Sequence, residues 1–549
     1  MLVRTVRRAV VQAVRETFPE AGPDIPVDVE VPRERDHGDY ATNVAMALAR
    51  PMKRPPRALG EALAGRLRER SDLFSAVEVA GPGFVNLRLA PGFLRESLAG
   101  LLAAGARWGT SDAGAGEKIQ VEFVSANPTG PLNVVNARAA AFGGTLTRLL
   151  AASGHDAHAE FYVNDVGGQI DLLGATFLER YREAQGGGPA RIPEGGYQGE
   201  YLLDLARELE PTGVDPLLVG LEPLAQARTM AGLAVERILR RQKEDLESYG
   251  VRYERWFRQS ELYPDAVKTA FRLLEDSGRL EEREGARWFR STEFGDDQDR
   301  VVVRQTGEPT YFLADLAYHA DKHARGFGKV VDIWGPDHHG YVARMQAGAR
   351  AMGFGPDWLE ILIVQQVNLL SGGKPAKMSK RRGEFITLRD LLDEVGKDAA
   401  IFFFLMRRSE SHLDFDIELA KQETDENPVY YVKYAHARIS GILRKHAEAG
   451  GREDAPDLDL LGEESEFALM KVLLAFPETV AGAARDREPH RLTGYLREVA
   501  QAFHLFYHHC RVIGPDPALT AARLALTRAA RQVLANGLAL MDIEAPERM

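Results

Sequence analysis

The chain has 549 residues, 45% hydrophobic and 27% charged, with a formal net charge of −11 and one cysteine, Cys510. That length implies about three or four domains, each able to bury its own core, and the composition is that of a globular protein. A lone cysteine excludes an intrachain disulfide and a cysteine-based zinc site, and no apolar run reaches the roughly 20 residues of a bilayer span.

At the start, Leu2, Val3, Val6, Val10, Val14 and Phe18 follow helical spacing, with Arg4, Arg7, Arg8 and Arg15 off the stripe. The arginines read first as a solvated helix face and second as contacts to an RNA backbone. The segment lacks the apolar core and cleavage site of a signal peptide, so a cytoplasmic location is expected. A second helical region is predicted over 41–48, and two strand-like runs meet at Gly81-Pro-Gly83 within 77–89. The first domain therefore reads as a small α+β unit. Residues 1–110 carry a net charge of +3, so the acidic total does not exclude a polyanionic partner. The glycine-rich run 105–116 reads as a linker.

A buried strand (Ile119, Val121, Phe123) then feeds a turn on Asn127, Pro128, Gly130 and Pro131, followed by an alanine-rich helix to Leu150. Such a junction holds phosphate, because free N–H groups and the helix dipole face the anion. Asn133 and Asn136, one helical turn apart, are expected to aim their amides at the same spot. Residues 117–180 alternate strand and helix as a parallel α/β unit does, and the interval of about 185–290 reads as an insertion between its halves. Strand-rich text returns at Trp288 and 300–304, with further strands at 330–334 and 361–364. Tyr311 and Asp315, four residues apart, share a helix face; with Glu122 and Asn127 they suit a long cationic side chain, since a guanidinium has five donors and pairs with carboxylates.

Asp337, His338 and His339 follow the strand ending at Trp334, at a sheet edge where ligands bind. Gly372-Gly-Lys-Pro375 is not a Walker A loop, lacking its glycine spacing and the Ser/Thr after lysine. Instead Lys377 and Lys380, with Met378 between them, give a basic loop (372–383) suited to closing on phosphates. Beyond Asp425 the chain is helical in period, and Tyr431, Tyr434 and Arg438 lie on one face.

The first turn and the basic loop resemble the paired nucleotide motifs of class I aminoacyl-tRNA synthetases. Gly38-Asp-Tyr-Ala-Thr-Asn43, Ala80-Gly-Pro-Gly-Phe-Val-Asn86, Phe161-Tyr-Val-Asn-Asp-Val-Gly-Gly-Gln-Ile170, Phe294-Gly-Asp-Asp-Gln-Asp-Arg300 and Asn427-Pro-Val-Tyr-Tyr-Val-Lys-Tyr-Ala-His-Ala-Arg438 are similar to arginyl-tRNA synthetases nearly end to end. The resemblance implies a multidomain fold. An α+β tRNA-binding domain (1–108) precedes a Rossmann-like α/β catalytic domain with an insertion (109–424), and an all-α anticodon-binding domain follows (425–549). It implies an arginine–tRNA ligase that uses ATP with Mg2+ as a substrate complex, with no protein-bound zinc or other metal. Its partners would be arginine tRNA, L-arginine and ATP; a monomer with no membrane contact is expected, as is a need for tRNA in the first step.

By position, the resemblance assigns ATP to Pro131, Asn133, Asn136, Asp337, His338, Lys377, Met378 and Lys380, with Asn133, Asn136, Lys377 and Lys380 catalytic. Arginine falls to Glu122, Asn127, Gln169, Tyr311 and Asp315. Phe84, Asn86, Tyr431, Tyr434, Arg438 and Met549 are assigned to tRNA. The chain departs from the pattern at Asn133, Val135 and Asn136, where histidine, glycine and histidine are usual. Asparagine keeps N–H donors but cannot become cationic, a charge that Lys377, Lys380 and magnesium would supply; Val135 must turn away from adenine or displace it. Two other classes are weighed. A non-catalytic tRNA-binding relic has no reason to keep Lys377, Lys380, Glu122 and Asp315, and a synthetase for another amino acid conflicts with the doubled acidic pocket.

Overall fold

The computed structural model describes residues 2–549 apart from 23–24, 33, 210–213, 377–385 and 452–454. Helix α1 (Leu2–Thr17) buries Leu2, Val6, Ala9, Val10, Ala13 and Val14 and leaves Arg4, Arg7, Arg8 and Arg15 exposed, as the stripe requires. Strand β1 (Tyr40–Thr42), helices α2 (Val44–Met52) and α3 (Pro56–Arg68), and strands β2 (Phe74–Ala80) and β3 (Phe84–Leu89) complete the first unit, whose antiparallel sheet runs β1-β3-β2. The helix expected over 41–48 thus starts only at Val44. Residues 40–42 pair instead with 85–87 of β3, a long-range partner that overrides local helical spacing.

Helix α4 (Pro91–Ala104) leads to the glycine-rich run, which is not a free linker. The Ser111, Gly114 and Gly116 N–H groups donate to the Ala152, Ser153 and Gly154 carbonyls, and Trp108 Nε1 donates to the Leu473 carbonyl at 3.2 Å. Glycine serves close approach here: a Cβ on Gly114 would collide with the His155 ring.

Next come β4 (Lys118–Glu122), α5 (Val134–Ala152), β5 (Asp156–Val163), α6 (Gly168–Ala184), α7 (Tyr201–Arg207), α8 (Asp215–Leu218), α9 (Pro223–Ser248) and β6 (Arg255–Arg258). After them run α10 (Asp265–Asp276), β7 (Leu280–Arg283), β8 (Ala286–Phe289), β9 (Arg300–Val303), α11 (Tyr311–Ala324), β10 (Lys329–Trp334), α12 (Val342–Ala351) and β11 (Leu359–Ile363). A five-stranded parallel sheet runs β11-β10-β4-β5-β6. The chain leaves β4 toward β5 but leaves β10 toward β11, so the switch point where such sheets bind ligands lies between β4 and β10. Two expectations change. The interval read as an insertion contains β6, a strand of this sheet, and β8 and β9 join β7 in a separate antiparallel sheet.

Helix α5 packs flush on the sheet because its buried face is small (Ala137, Ala140, Ala141, Gly143); a Cβ on Gly143 would collide with the Phe123 ring. Strands β12 (Val367–Ser371), β13 (Lys374–Pro375) and β14 (Leu413–Asp416) form a small sheet, with helices α13 (Leu388–Val395), α14 (Lys397–Phe404) and α15 (Ile417–Lys421) around it. The remainder is helical: α16 (Pro428–Glu448), α17 (Glu464–Leu474), α18 (Phe476–Arg485), α19 (His490–His509) and α20 (Pro517–Leu540). Against expectation, Glu464–Arg485 is long and apolar enough to span a bilayer by composition. It is divided between α17 and α18, whose Leu469, Leu473, Phe476 and Val480 are core residues packed against the neighbouring helices.

Candidate active site

Asn133 caps α5. Its Oδ1 accepts from the Val135 and Asn136 N–H groups (2.9 and 3.1 Å), and Asn136 Oδ1 accepts from the Asn133 N–H (3.0 Å). The expectation of freely pointing backbone N–H groups is therefore corrected, since the cap engages three of them. With both oxygens turned onto the backbone, each asparagine presents its Nδ2 amide, which has no partner among the described residues. Thr387 bridges to Asn133, and the Leu388 N–H donates to the Leu132 carbonyl at 2.8 Å. Beside the cap opens a cleft of about 590 Å³ lined by Asn133, Val134, Val135, β12, Ala376 and Asp414. Val135 thus forms part of the wall and does not turn away.

Pro131 faces elsewhere. With Gly130 it lines a second cleft of about 290 Å³ against Tyr201, Asp245 and Arg389. Asp337 and His338 lie in an exposed turn (Pro336–Tyr341) after β10, outside the lining of the larger cleft. Lys377, Met378 and Lys380 lie outside the described residues.

At the switch point, Glu122 ends β4 and is buried. Lys322 Nζ on α11 donates to Glu122 (2.6 Å) and to Asp332 of β10 (2.8 Å), and Ser125 Oγ donates to the other Glu122 oxygen at 2.9 Å. His319 bridges Asp332 and the Asp315 carbonyl, each at 2.8 Å. Burial pushes the Asp332 carboxyl up, but Lys322 and His319 outweigh it and hold it down at about 2. Glu122, expected as an open arginine ligand, already has a cation.

Asp315 differs. Burial raises its carboxyl to about 6, and its one side-chain partner among the described residues is the Tyr341 hydroxyl, which donates to it at 3.0 Å. Tyr311, one helical turn earlier, is 64% exposed. The buried Tyr162 hydroxyl, with no hydrogen-bond partner among the described residues, is close enough to Asp315 and Glu122 for their charges to raise its pKa beyond the effect of burial. The site therefore holds a carboxylate that makes no ion pair among the described residues, its burial only partly offset by the charges of His319 and Arg344, with phenols beside it, an arrangement open to a guanidinium.

Between the two centres the backbone is strained. The Ser125 N–H donates to the Phe123 carbonyl across Val124, a tight turn with φ of 69° at Val124 and 39° at Ser125. Asn127 donates to Gln169 (3.0 Å) and accepts from Asn164 (2.8 Å), so two expected arginine ligands meet and Asn164 joins them. Gln242 Nε2 on α9 donates to the Asn127 and Gly130 carbonyls (3.2 and 2.8 Å), pinning the turn. Sequence reasoning missed Lys322, Tyr341, Tyr162, Asn164 and Gln242. For Lys322 a signal existed, a lysine seven residues after Asp315 and three after His319, on the same helix face.

Phe84 and Asn86 stand together on the open face of β3, half-buried, while Val85, Leu87 and Leu89 point into the core. In the helical unit, Tyr431 and Tyr434 on α16 lie 5.2 and 6.2 Å from the His504 ring of α19. Arg438 sits 4.6 Å from the Tyr507 ring and 6.0 Å from that of Tyr434. The C-terminal tail returns to α16 through His436 Nδ1, which donates to the Pro546 carbonyl at 2.8 Å, leaving Met549 exposed.

Comparison with known proteins shows the family. Residues 4–89 match the arginyl tRNA synthetase N terminal domain, 216–414 the class I (R) tRNA synthetase catalytic domain, and 432–549 the DALR anticodon binding domain. The chain is 45% identical to an arginine–tRNA ligase of Desulforudis audaxviator over 100% of both chains, and 47% identical to one of Citrifermentans bemidjiense over 95% of both. Among solved structures it resembles a putative arginyl tRNA synthetase of Campylobacter jejuni (TM-score 0.77, 35% identity, 84% of this chain and 100% of that one). It shares its fold with the arginyl-tRNA synthetase of Thermus thermophilus (TM-score 0.78, 24% identity, 100% of both). With near-complete coverage at such identity and the class I catalytic architecture in place, the chain belongs to the arginyl-tRNA synthetases.

Proposed function

We propose that the chain is an arginine–tRNA ligase acting on L-arginine, Mg-ATP and arginine tRNA, as a cytoplasmic monomer. The observation that carries the reading is Asp315, a carboxyl raised by burial with no ion pair among the described residues, on the helix that packs at the switch point of a parallel sheet. The guanidinium of arginine is received by Asp315, with Tyr311 and the Asn127–Gln169 pair placing the rest of the substrate; Glu122, held by Lys322, shapes the floor. ATP occupies the cleft beside Asn133 and Asn136, whose Nδ2 amides donate to its phosphates. Magnesium on those phosphates and Lys377 and Lys380 neutralise charge on the leaving pyrophosphate.

Arginine's carboxylate attacks the α-phosphorus, forming arginyl-adenylate and expelling pyrophosphate. A terminal tRNA ribose hydroxyl then attacks the arginyl carbonyl and AMP leaves. No side chain is a covalent nucleophile; positioning and charge stabilisation do the chemistry. Phe84 and Asn86 in the first unit, and Tyr431, Tyr434, Arg438 and Met549 in the helical one, receive the tRNA. The test is arginine-dependent pyrophosphate exchange with and without arginine tRNA. Exchange with arginine is expected; exchange with another amino acid instead, or tRNA binding without any exchange, overturns the assignment.

A further inference from the structure

Arg138 is the largest of the fully buried side chains, 1% exposed, on the second turn of α5. Its guanidinium makes no ion pair among the described residues. Instead NH1 donates to the Gln365 and Gln366 carbonyls (2.8 and 3.5 Å) and NH2 to the Arg408 carbonyl (2.8 Å). Taking a cation out of water costs several kcal/mol, and partners bearing only partial charge offset less of it than a carboxylate does. Packing alone is served by a methionine or leucine of similar volume, so the charge has another use.

Its location indicates which. Residues 365–366 lead directly into β12, and 408 leads through Ser409 toward β14; the Gln365 N–H also donates to the Ser409 carbonyl at 2.9 Å. Strand β12 and Asp414 of β14 form one wall of the larger cleft, and the first turn of α5 forms the other. Arg138 lies five residues beyond Asn133, about 7.5 Å along the helix axis. One side chain therefore fastens the helix of one wall to the segments that lead into both strands of the opposite wall. We propose that Arg138 is a positioning residue that sets the width of the nucleotide cleft, and so the affinity for ATP, without touching the nucleotide.

The inference rests on reading that cleft as the ATP site, and its test is separable from the arginine assignment. A non-hydrolysable Mg-ATP analogue is titrated calorimetrically into wild type, R138M and R138K, and KM for ATP and arginine is measured by pyrophosphate exchange. R138M is expected to weaken the analogue by about tenfold or more, with KM for arginine changed less than about twofold. R138K, keeping the charge but not the planar fork, is expected to recover part of that loss. Equal effects on both substrates, or unchanged analogue affinity in either folded variant, overturn the proposal. Should R138M not fold, R138K decides alone: a rise of about threefold in KM for ATP only supports it, and no rise overturns it. A wild type that binds the analogue without exchanging arginine sinks the functional reading while leaving the titration of Arg138 decisive.

Discussion

A carboxyl moved out of water holds its proton more tightly, and Asp315, at about 6, titrates just below neutrality. On the proposed assignment arginine binds the ionised form, so its affinity is present above that value and is lost as pH falls through it. KM for arginine is expected to be flat above pH about 7 and to rise towards tenfold per unit below about 6, with KM for ATP unmoved. Replacement D315N is expected to raise KM for arginine by about 100-fold and abolish that dependence, measured by pyrophosphate exchange. Folding responds oppositely: a raised carboxyl stabilises most below its ordinary pKa and loses that contribution as pH rises through about 6. Asn136 carries a second prediction. N136A removes a phosphate-facing donor and half of the cap, and is expected to lower kcat about 10- to 100-fold at a stability cost of roughly 1 kcal/mol, read by thermal unfolding. The strand, turn and alanine-rich helix around Asn133 and Asn136 were legible in the sequence as a candidate anion site. The direction of each amide was not, since it depends on a reciprocal cap that residue type alone does not dictate.

Helix α11 places both kinds of charge at the switch point. Asp315 and Tyr311 face the substrate side, while Lys322 reaches Glu122 and Asp332 from the buried side. K322M leaves Glu122 without a cation and Asp332 with His319 alone, and is expected to cost about 3–5 kcal/mol, visible as a lowered urea midpoint. Partial recovery in a variant that also carries E122Q would identify Glu122 as the carboxylate left without its cation. Whereas β6 was read as part of an insertion, local pattern exposed α5 and the strands β4, β10 and β11. It could not show that 40–42 pairs with β3 or that 105–116 is fastened down. Nor could it show that Gln242, 112 residues after Gly130, pins that turn. Those contacts join distant parts of the chain and leave no local period.

Over the whole molecule the net charge of −11 is set against local RNA-facing chemistry. The exposed arginines of α1, the Phe84–Asn86 face and the Tyr434–His504–Arg438–Tyr507 cluster supply donors and stacking planes in an otherwise acidic protein. Stacking of a base on an aromatic is worth about 1–3 kcal/mol, so Y434A is expected to raise the Kd for arginine tRNA by about 5- to 150-fold. Filter binding checks this, and circular dichroism should show an unchanged helical content. The sequence displayed Tyr431, Tyr434 and Arg438 as one face but not the second helix that completes the surface, since His504 and Tyr507 arrive from 66 and more residues away.

The cap on α5 has one further consequence. Its two amides do not gain or lose a proton across the physiological range, so the phosphate-facing turn is silent to acidity. Where the resembled pattern has imidazoles, this turn transfers no basic limb to the rate profile between about pH 5 and 8. The acid limb left by Asp315 is then read without overlap from the turn. At saturating arginine, where the Asp315 limb is suppressed, replacing either asparagine with histidine should introduce a limb of its own in kcat.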